Sequence, residues 1–252
     1  MSSPTHPLDN PAFAALTGPH ARFAERRGNA LRYPVDVSPF IALPTQASPA
    51  DWDDLAVLAG PGAIVPLAGE TGSPPSGWEL VMSGEAVQLV DEGVAAVEDP
   101  EAVRLGPADV PEMLALVAAA KPGPFGPRTV ELGTYLGIRR GGALVAMAGE
   151  RLRPPGWTEI SAVCTDAAYR GQGLATRLVR TVAAGILARG ETPFLHAAAD
   201  NVNAIRLYLA LGFRQRQGLT FAAWRVPGRP GDVPEQSARP AWLPADDDVR
   251  TA

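Results

Sequence analysis

The chain places two glycines at one junction. An apolar run, Glu159 to Thr165, leads into Asp166-Ala-Ala-Tyr-Arg-Gly-Gln-Gly-Leu-Ala-Thr, and a long helical pattern then runs from about Gly173 to Arg189. A strand, a glycine loop and a helix in this order restrict the fold more than any other segment. Gly171 and Gly173 let the backbone come close to a ligand, and the next residues open a helix whose free N–H groups and dipole face an anion. The loop is suited to phosphate. A glycine pair alone is a weak signal, so the commoner nucleotide loops were tested against it. A P-loop closes on Gly-Lys-Ser/Thr, whereas Leu174 and Ala175 follow Gly173 here. A dinucleotide fingerprint needs a third glycine where Thr176 stands and an acid ending the next strand, and Glu191 precedes that strand. Both patterns fail locally.

Around this junction the pattern of the chain predicts a mixed α+β protein. A helix is expected within Pro11 to Gly28, where Phe13, Leu16 and Phe23 recur at roughly helical spacing. A second is expected over Pro49 to Ala59, capped by Ser48, opened by Pro49 and closed by Gly60-Pro61-Gly62. Short strands are expected at 63–67, 78–81 and 86–90, with Gly/Pro/Ser turn material at 69–77. Asp99-Pro100 marks a break, and we place a boundary near residue 100, giving a small α+β region over 1–100 and a second unit over 101–226. In the second unit the order reads strand (102–105), helix (108–120), a Pro/Gly-rich excursion, strands near 134–139, 143–152 and 158–165, the long helix, strand (193–198), helix (202–211) and a terminal strand pair around 213–226. The tail after Pro227, rich in Pro, Gly, Asp and Arg, is expected to be disordered.

A second motif gives the loop its meaning. Asp200-Asn-Val-Asn-Ala-Ile-Arg-Leu-Tyr-Leu-Ala-Leu-Gly-Phe supplies Asn203, Tyr208 and a Leu-Gly-Phe turn. Together with Arg170, Gly173 and Ala175, which match a Gln/Arg-x-x-Gly-x-Gly/Ala loop, this resembles the GNAT superfamily of acyl-CoA-dependent N-acetyltransferases. The resemblance covers roughly residues 102–226, and the first hundred residues look like the shortened N-terminal half of some tandem members. It implies a mostly antiparallel central sheet flanked by helices, with acetyl-CoA as co-substrate and a small-molecule or peptide amine as acceptor.

It also implies roles for particular residues. Backbone N–H groups of Gly171, Gln172, Gly173, Leu174, Ala175 and Thr176 would hold the pyrophosphate, with Arg170 at the rim. Ala162, Val163 and Cys164 would face the thioester and pantetheine from a strand that splays at a bulge, with the Val163 N–H as the oxyanion donor. Asn203 would contact the cofactor, and Tyr208 would protonate the departing thiolate. For the general base the candidates are Glu159, eleven residues ahead of Arg170, and Glu150, which ends the neighbouring strand. Each of these residues also has a plain structural reading, as an ordinary turn, a core tyrosine or a solvated carboxylate. Cys164 has no histidine near it in sequence and reads as a small core residue rather than a nucleophile. His196 reads as a satisfied core or cleft-lining residue.

Composition narrows the alternatives. Three scattered histidines and one cysteine offer no metal-site spacing or disulfide framework, and a net charge of -5 argues against bulk nucleic-acid binding. No segment has the signature of a signal peptide or a membrane span, so a cytoplasmic location is expected. The rival functional class is a non-catalytic acyl-CoA-binding module, in which the N-terminal half occupies or replaces the acceptor site.

Overall fold

The computed structural model describes residues 6–68 and 72–228. A 3-10 turn and the short helix α1 (Pro11–Leu16) lead into a small antiparallel sheet of β1 (Glu25–Arg27), β2 (Ala30–Arg32) and β3 (Ile41–Ala42), followed by α2 (Pro49–Ala59). The predicted helix over Pro11 to Gly28 thus stops at Leu16. Thr17 caps it, and the Gly18-Pro19 pair that follows cannot continue a helical ladder. In α2 the sequence signals act together: Ser48 Oγ accepts from the Asp51 N–H at 3.3 Å, and Asp51 Oδ2 accepts from the Ser48 N–H at 2.8 Å.

The remaining strands are β4 (Ile64–Ala68), β5 (Glu79–Asp91), β6 (Val103–Leu105), β7 (Tyr135–Arg140), β8 (Ala143–Glu150), β9 (Trp157–Thr165), β10 (Thr192–Ala198) and β11 (Phe213–Arg225). They form one sheet in the order β4-β11-β5-β10-β9-β8-β7-β6. Every pair is antiparallel except β9 with β10, which are joined through α4 (Leu174–Ala188). Two expectations are corrected. The strands read at 78–81 and 86–90 are one, β5, because Ser83 and Gly84 between them are held extended opposite Ala222 and Phe221. The terminal strand pair is likewise the single strand β11, with an irregularity between Gln215 and Gln217.

Because β5 lies between β10 and β11, residues on both sides of position 100 share this sheet. Leu8, Leu16, Tyr33 and Phe40 from the first part of the chain pack with Leu132, Leu152 and Phe194. The Gln88 side chain donates to the Leu8 carbonyl at 2.9 Å, and Thr129 Oγ1 to that of Val37 at 2.7 Å.

The two faces of the sheet have different covers. On one, α4 buries Leu174, Leu178, Val179, Val182, Ala183 and Ile186 against Ile138, Val145, Ile160 and Leu195. The helix α5 (Val202–Ala210) adds Tyr208 to the same cluster. On the other, α3 (Val110–Ala120) sets Met113 and Leu116 against Tyr135, Met147, Ala162 and Cys164. Each buried branched or long apolar side chain contributes about 1.5–3 kcal/mol, so the helices are held mainly by these stripes. The tail read as disordered after Pro227 lies, from residue 229 onward, outside the described residues.

Candidate active site

Two backbone irregularities build the site. The first is in β9, where Met147 pairs with Cys164 and Gly149 with Ser161, so β9 carries one more residue than β8 across this interval. Ala162 takes the left-handed conformation there, at φ +53°. A bulge of this kind bends its strand and leaves ladder groups unpaired. The parallel pairing of β9 with β10 is confined to Trp157–Glu159 opposite Thr192–Phe194. Beyond it the two strands part, which opens a gap in the middle of the sheet.

The second irregularity is the glycine loop. Asp166 accepts from the Ala168 N–H at 2.8 Å and starts a tight 3-10 turn over Ala167–Tyr169. Gly171 and Gly173 then take φ +74° and +73°, values that side chains with a Cβ avoid, and α4 begins at Leu174. No side chain caps this helix. Its first N–H groups and positive dipole end are left open to a ligand, as an anion cradle requires.

These features meet in a cleft of about 790 Å3. Of the residues expected at the site, it brings together Val163 and Cys164 from β9, Arg170, Gly171, Gly173, Leu174, Ala175 and Thr176 from the loop and α4, and Asn203 and Tyr208 from α5. Ala162 and Gln172 do not line it; Ala162 instead supplies the bulge. Asn201, not Asn203, caps α5, accepting from the Ala204 N–H at 3.1 Å, and both asparagines line the cleft. Asn201, Leu207 and Ala120 went unread in the sequence; Ala120 reaches the cleft from the end of α3, a contact that no local pattern announces.

Burial sets the chemistry of two titratable groups in the cleft, Tyr208 and Cys164. Desolvation pushes the Tyr208 phenol up to about 12, so it is neutral and able to donate at physiological pH. Desolvation also pushes the Cys164 thiol up to about 12, which leaves it without the thiolate that a nucleophile needs.

The two glutamates have surroundings unlike those expected. The sequence aimed Glu159 into the cleft; the structure buries it completely away from the cleft lining. Arg151 grips it with two hydrogen bonds, Nε to Oε2 at 2.9 Å and Nη2 to Oε1 at 2.7 Å, and His196 Nδ1 lies 2.8 Å from Oε1. Burial alone would raise the Glu159 carboxyl, but the Arg151 charge and the hydrogen bonds outweigh it and hold the group far below the usual carboxylate range. Glu150 accepts from Arg189 Nη2 at 3.0 Å, just past the C-terminus of α4, whose fifteen residues put roughly 22 Å between that end and the glycine loop.

The Glu159 network continues past His196. Gln88 accepts from Arg216 Nη1 at 2.9 Å through Oε1, so its amide group faces His196 Nε2 at 3.1 Å as a donor. That assignment puts the imidazole proton on Nδ1, facing Glu159. His196 also lines a second cavity, of about 330 Å3, with Phe40, Met82, Glu85, Arg151, Phe221 and the Pro122–Pro124 turn. Among the described residues, no group of three or more His, Cys, Asp or Glu side chains has the placement to hold a metal ion, and no helix is long and apolar enough to cross a membrane.

Known proteins match this architecture. A family model described as FR47-like protein matches residues 135–222, from β7 into β11. The crystal structure of a putative acetyltransferase from the GNAT family of Novosphingobium aromaticivorans is 42% identical, with a TM-score of 0.80, and the match covers 87% of this chain and 98% of that one. The chain belongs to the GNAT family. A GCN5-related N-acetyltransferase from Kribbella flavida shares the fold of this GNAT protein at 19% identity, with a TM-score of 0.57 over 86% of this chain and 94% of that one. The N-alpha-acetyltransferase RimI of Mycobacterium tuberculosis is 41% identical over 97 residues, 37% of this chain. That match spans 60% of the RimI relative's own length.

Proposed function

We propose that this protein is an N-acetyltransferase that moves an acetyl group from acetyl-CoA to a primary amine by direct attack in a ternary complex. The observation that carries the reading is the convergence, in one cleft, of an uncapped helix N-terminus behind two left-handed glycines, a bulged strand edge and a buried neutral tyrosine. Acetyl-CoA supplies the acyl group as an activated thioester. The open N–H groups from Gly171 to Thr176 hold the pyrophosphate with Arg170 at the rim, Asn203 contacts the cofactor, and the freed edge of β9 at Val163 and Cys164 pairs with the pantetheine amides. The Val163 N–H faces the oxygen that becomes negative as the amine adds, a contribution of about 3 kcal/mol in comparable sites.

The amine nitrogen forms the new C–N bond while the C–S bond breaks. The amine gives up a proton, and Tyr208 donates one to the departing sulfur. We assign Glu159 the role of fixing Arg151 and the tautomer of His196, since a carboxylate held so strongly ionised is a weak base. Proton removal from the amine is assigned to a relayed water. The RimI relative's name, an N-alpha-acetyltransferase, supports an α-amine as the acceptor.

The test is thiol release from acetyl-CoA across a panel of primary amines, with Tyr208→Phe beside the wild type. Transfer to at least one amine, and a kcat lowered about 100-fold in the variant with acetyl-CoA affinity kept, is the expected result. Tight acetyl-CoA binding with no transfer to any amine would instead leave a binding module.

A further inference from the structure

The second cavity neighbours the first along the chain. Ala120 lines the cofactor cleft and Pro122–Pro124, starting two residues further on, line the smaller cavity, while β9 and β10 part beyond Glu159 and Phe194. The smaller cavity is walled by both parts of the chain. Phe40 and the β5 residues Met82, Gly84 and Ala86 line it together with Phe221 of β11 and His196 of β10. Strand alternation puts Met82, Gly84, Ala86 and Gln88 on one face of β5, so the Gln88–His196 contact lies in the floor of the same cavity.

Its chemistry is predominantly apolar, with two constraints on charge. Arg151, the only arginine or lysine among its described lining residues, is already gripped by Glu159 and lies over the Phe40 ring at 5.0 Å. His196 has its ring nitrogens engaged by Glu159 and Gln88. A carboxylate entering this space would therefore meet no uncommitted cation among its described lining residues.

Resting on the acetyltransferase reading above, we propose that this cavity is the acceptor subsite and that it selects a primary amine carrying a bulky apolar group and no adjacent free carboxylate. A peptide N-terminus that begins with a large apolar side chain, or an amine of that shape, meets these terms. A polyamine or a free amino acid does not.

The test uses the full chain with acetyl-CoA and four acceptors: phenylalaninamide, free phenylalanine, spermidine and ethylamine. Gly84→Leu is the decisive variant. A Cβ at Gly84 meets nothing within 4 Å, so the new side chain extends into the cavity without a backbone clash. Phenylalaninamide is expected to exceed free phenylalanine and spermidine in kcat/KM by at least about tenfold, the scale on which apolar pockets discriminate. Gly84→Leu should remove most of that advantage while leaving acetyl-CoA affinity by calorimetry and the thermal unfolding midpoint close to wild type. Spermidine or free phenylalanine as the best acceptor, or an unchanged preference in Gly84→Leu with acetyl-CoA bound normally, overturns the subsite and leaves the donor assignment standing. Failure of the wild type to bind acetyl-CoA at all overturns the donor assignment itself.

Discussion

Tyr208 and Glu159 show how burial gives two acidic side chains opposite uses. The phenol, raised to about 12 by desolvation, stays a proton donor across the physiological range, so the kcat of the wild type should hold level on the alkaline side up to about pH 10. A fall below that pH, absent in Tyr208→Phe, would contradict its role as the acid. Glu159 is instead fixed as an anion by Arg151. Its folded-state pKa lies below the unfolded value near 4.5, so the network contributes stability above about pH 4.5 and loses it as the pH falls. Denaturant midpoints measured from pH 7 down to 3 should show that loss. Glu159→Gln should lower stability by about 3–5 kcal/mol at pH 7, because it leaves Arg151 buried without its counter-charge, and should flatten the acid dependence. A variant as stable as wild type at pH 7 would remove Glu159 from its structural place. The spacing of Glu159 from Arg170 was visible in the chain, but its partners were not: Arg151, just past β8, and His196, from β10, converge on it, and Gln88 of β5 holds His196 in turn.

At the level of elements, the parts with strong local grammar were legible and those held by pairing were not. The α2 capping box, the α4 apolar stripe and the glycine loop each follow from neighbouring residues. In contrast, the Ser83–Gly84 gap between two expected strands is itself strand because β11 lies alongside. The helix expected past Leu16 ends at a break that the sequence also carried, Gly18-Pro19, but the spacing of Phe23 masked it. The α4 stripe is the main anchor of the cleft's helical wall. Leu178 is fully buried in it, so Leu178→Ala should destabilise the protein by about 2–5 kcal/mol in equilibrium unfolding while leaving the loop glycines in place. A loss under about 1 kcal/mol would mean that α4 is held by something other than its apolar face.

For the molecule as a whole, the consequence of β5 lying between β10 and β11 is that the catalytic sheet depends on residues ahead of position 100. We infer that the two parts form one cooperative unit. A fragment starting at residue 101 leaves β10 and β11 without the strand that joins them, and should show neither a cooperative thermal transition nor acetyl-CoA binding. Cooperative unfolding of that fragment would restore the boundary near residue 100 as a true domain border. The central claim concerns the glycine loop. It is tested most directly by calorimetric titration of the full chain with acetyl-CoA, beside Gly173→Val, which forces a β-branched residue into a φ of +73° at the start of α4. Saturable binding by the wild type, and at least a tenfold weaker affinity in a variant that still unfolds cooperatively, is the predicted result. Equal affinity in the two proteins would place the pyrophosphate elsewhere and contradict the assignment of the cleft.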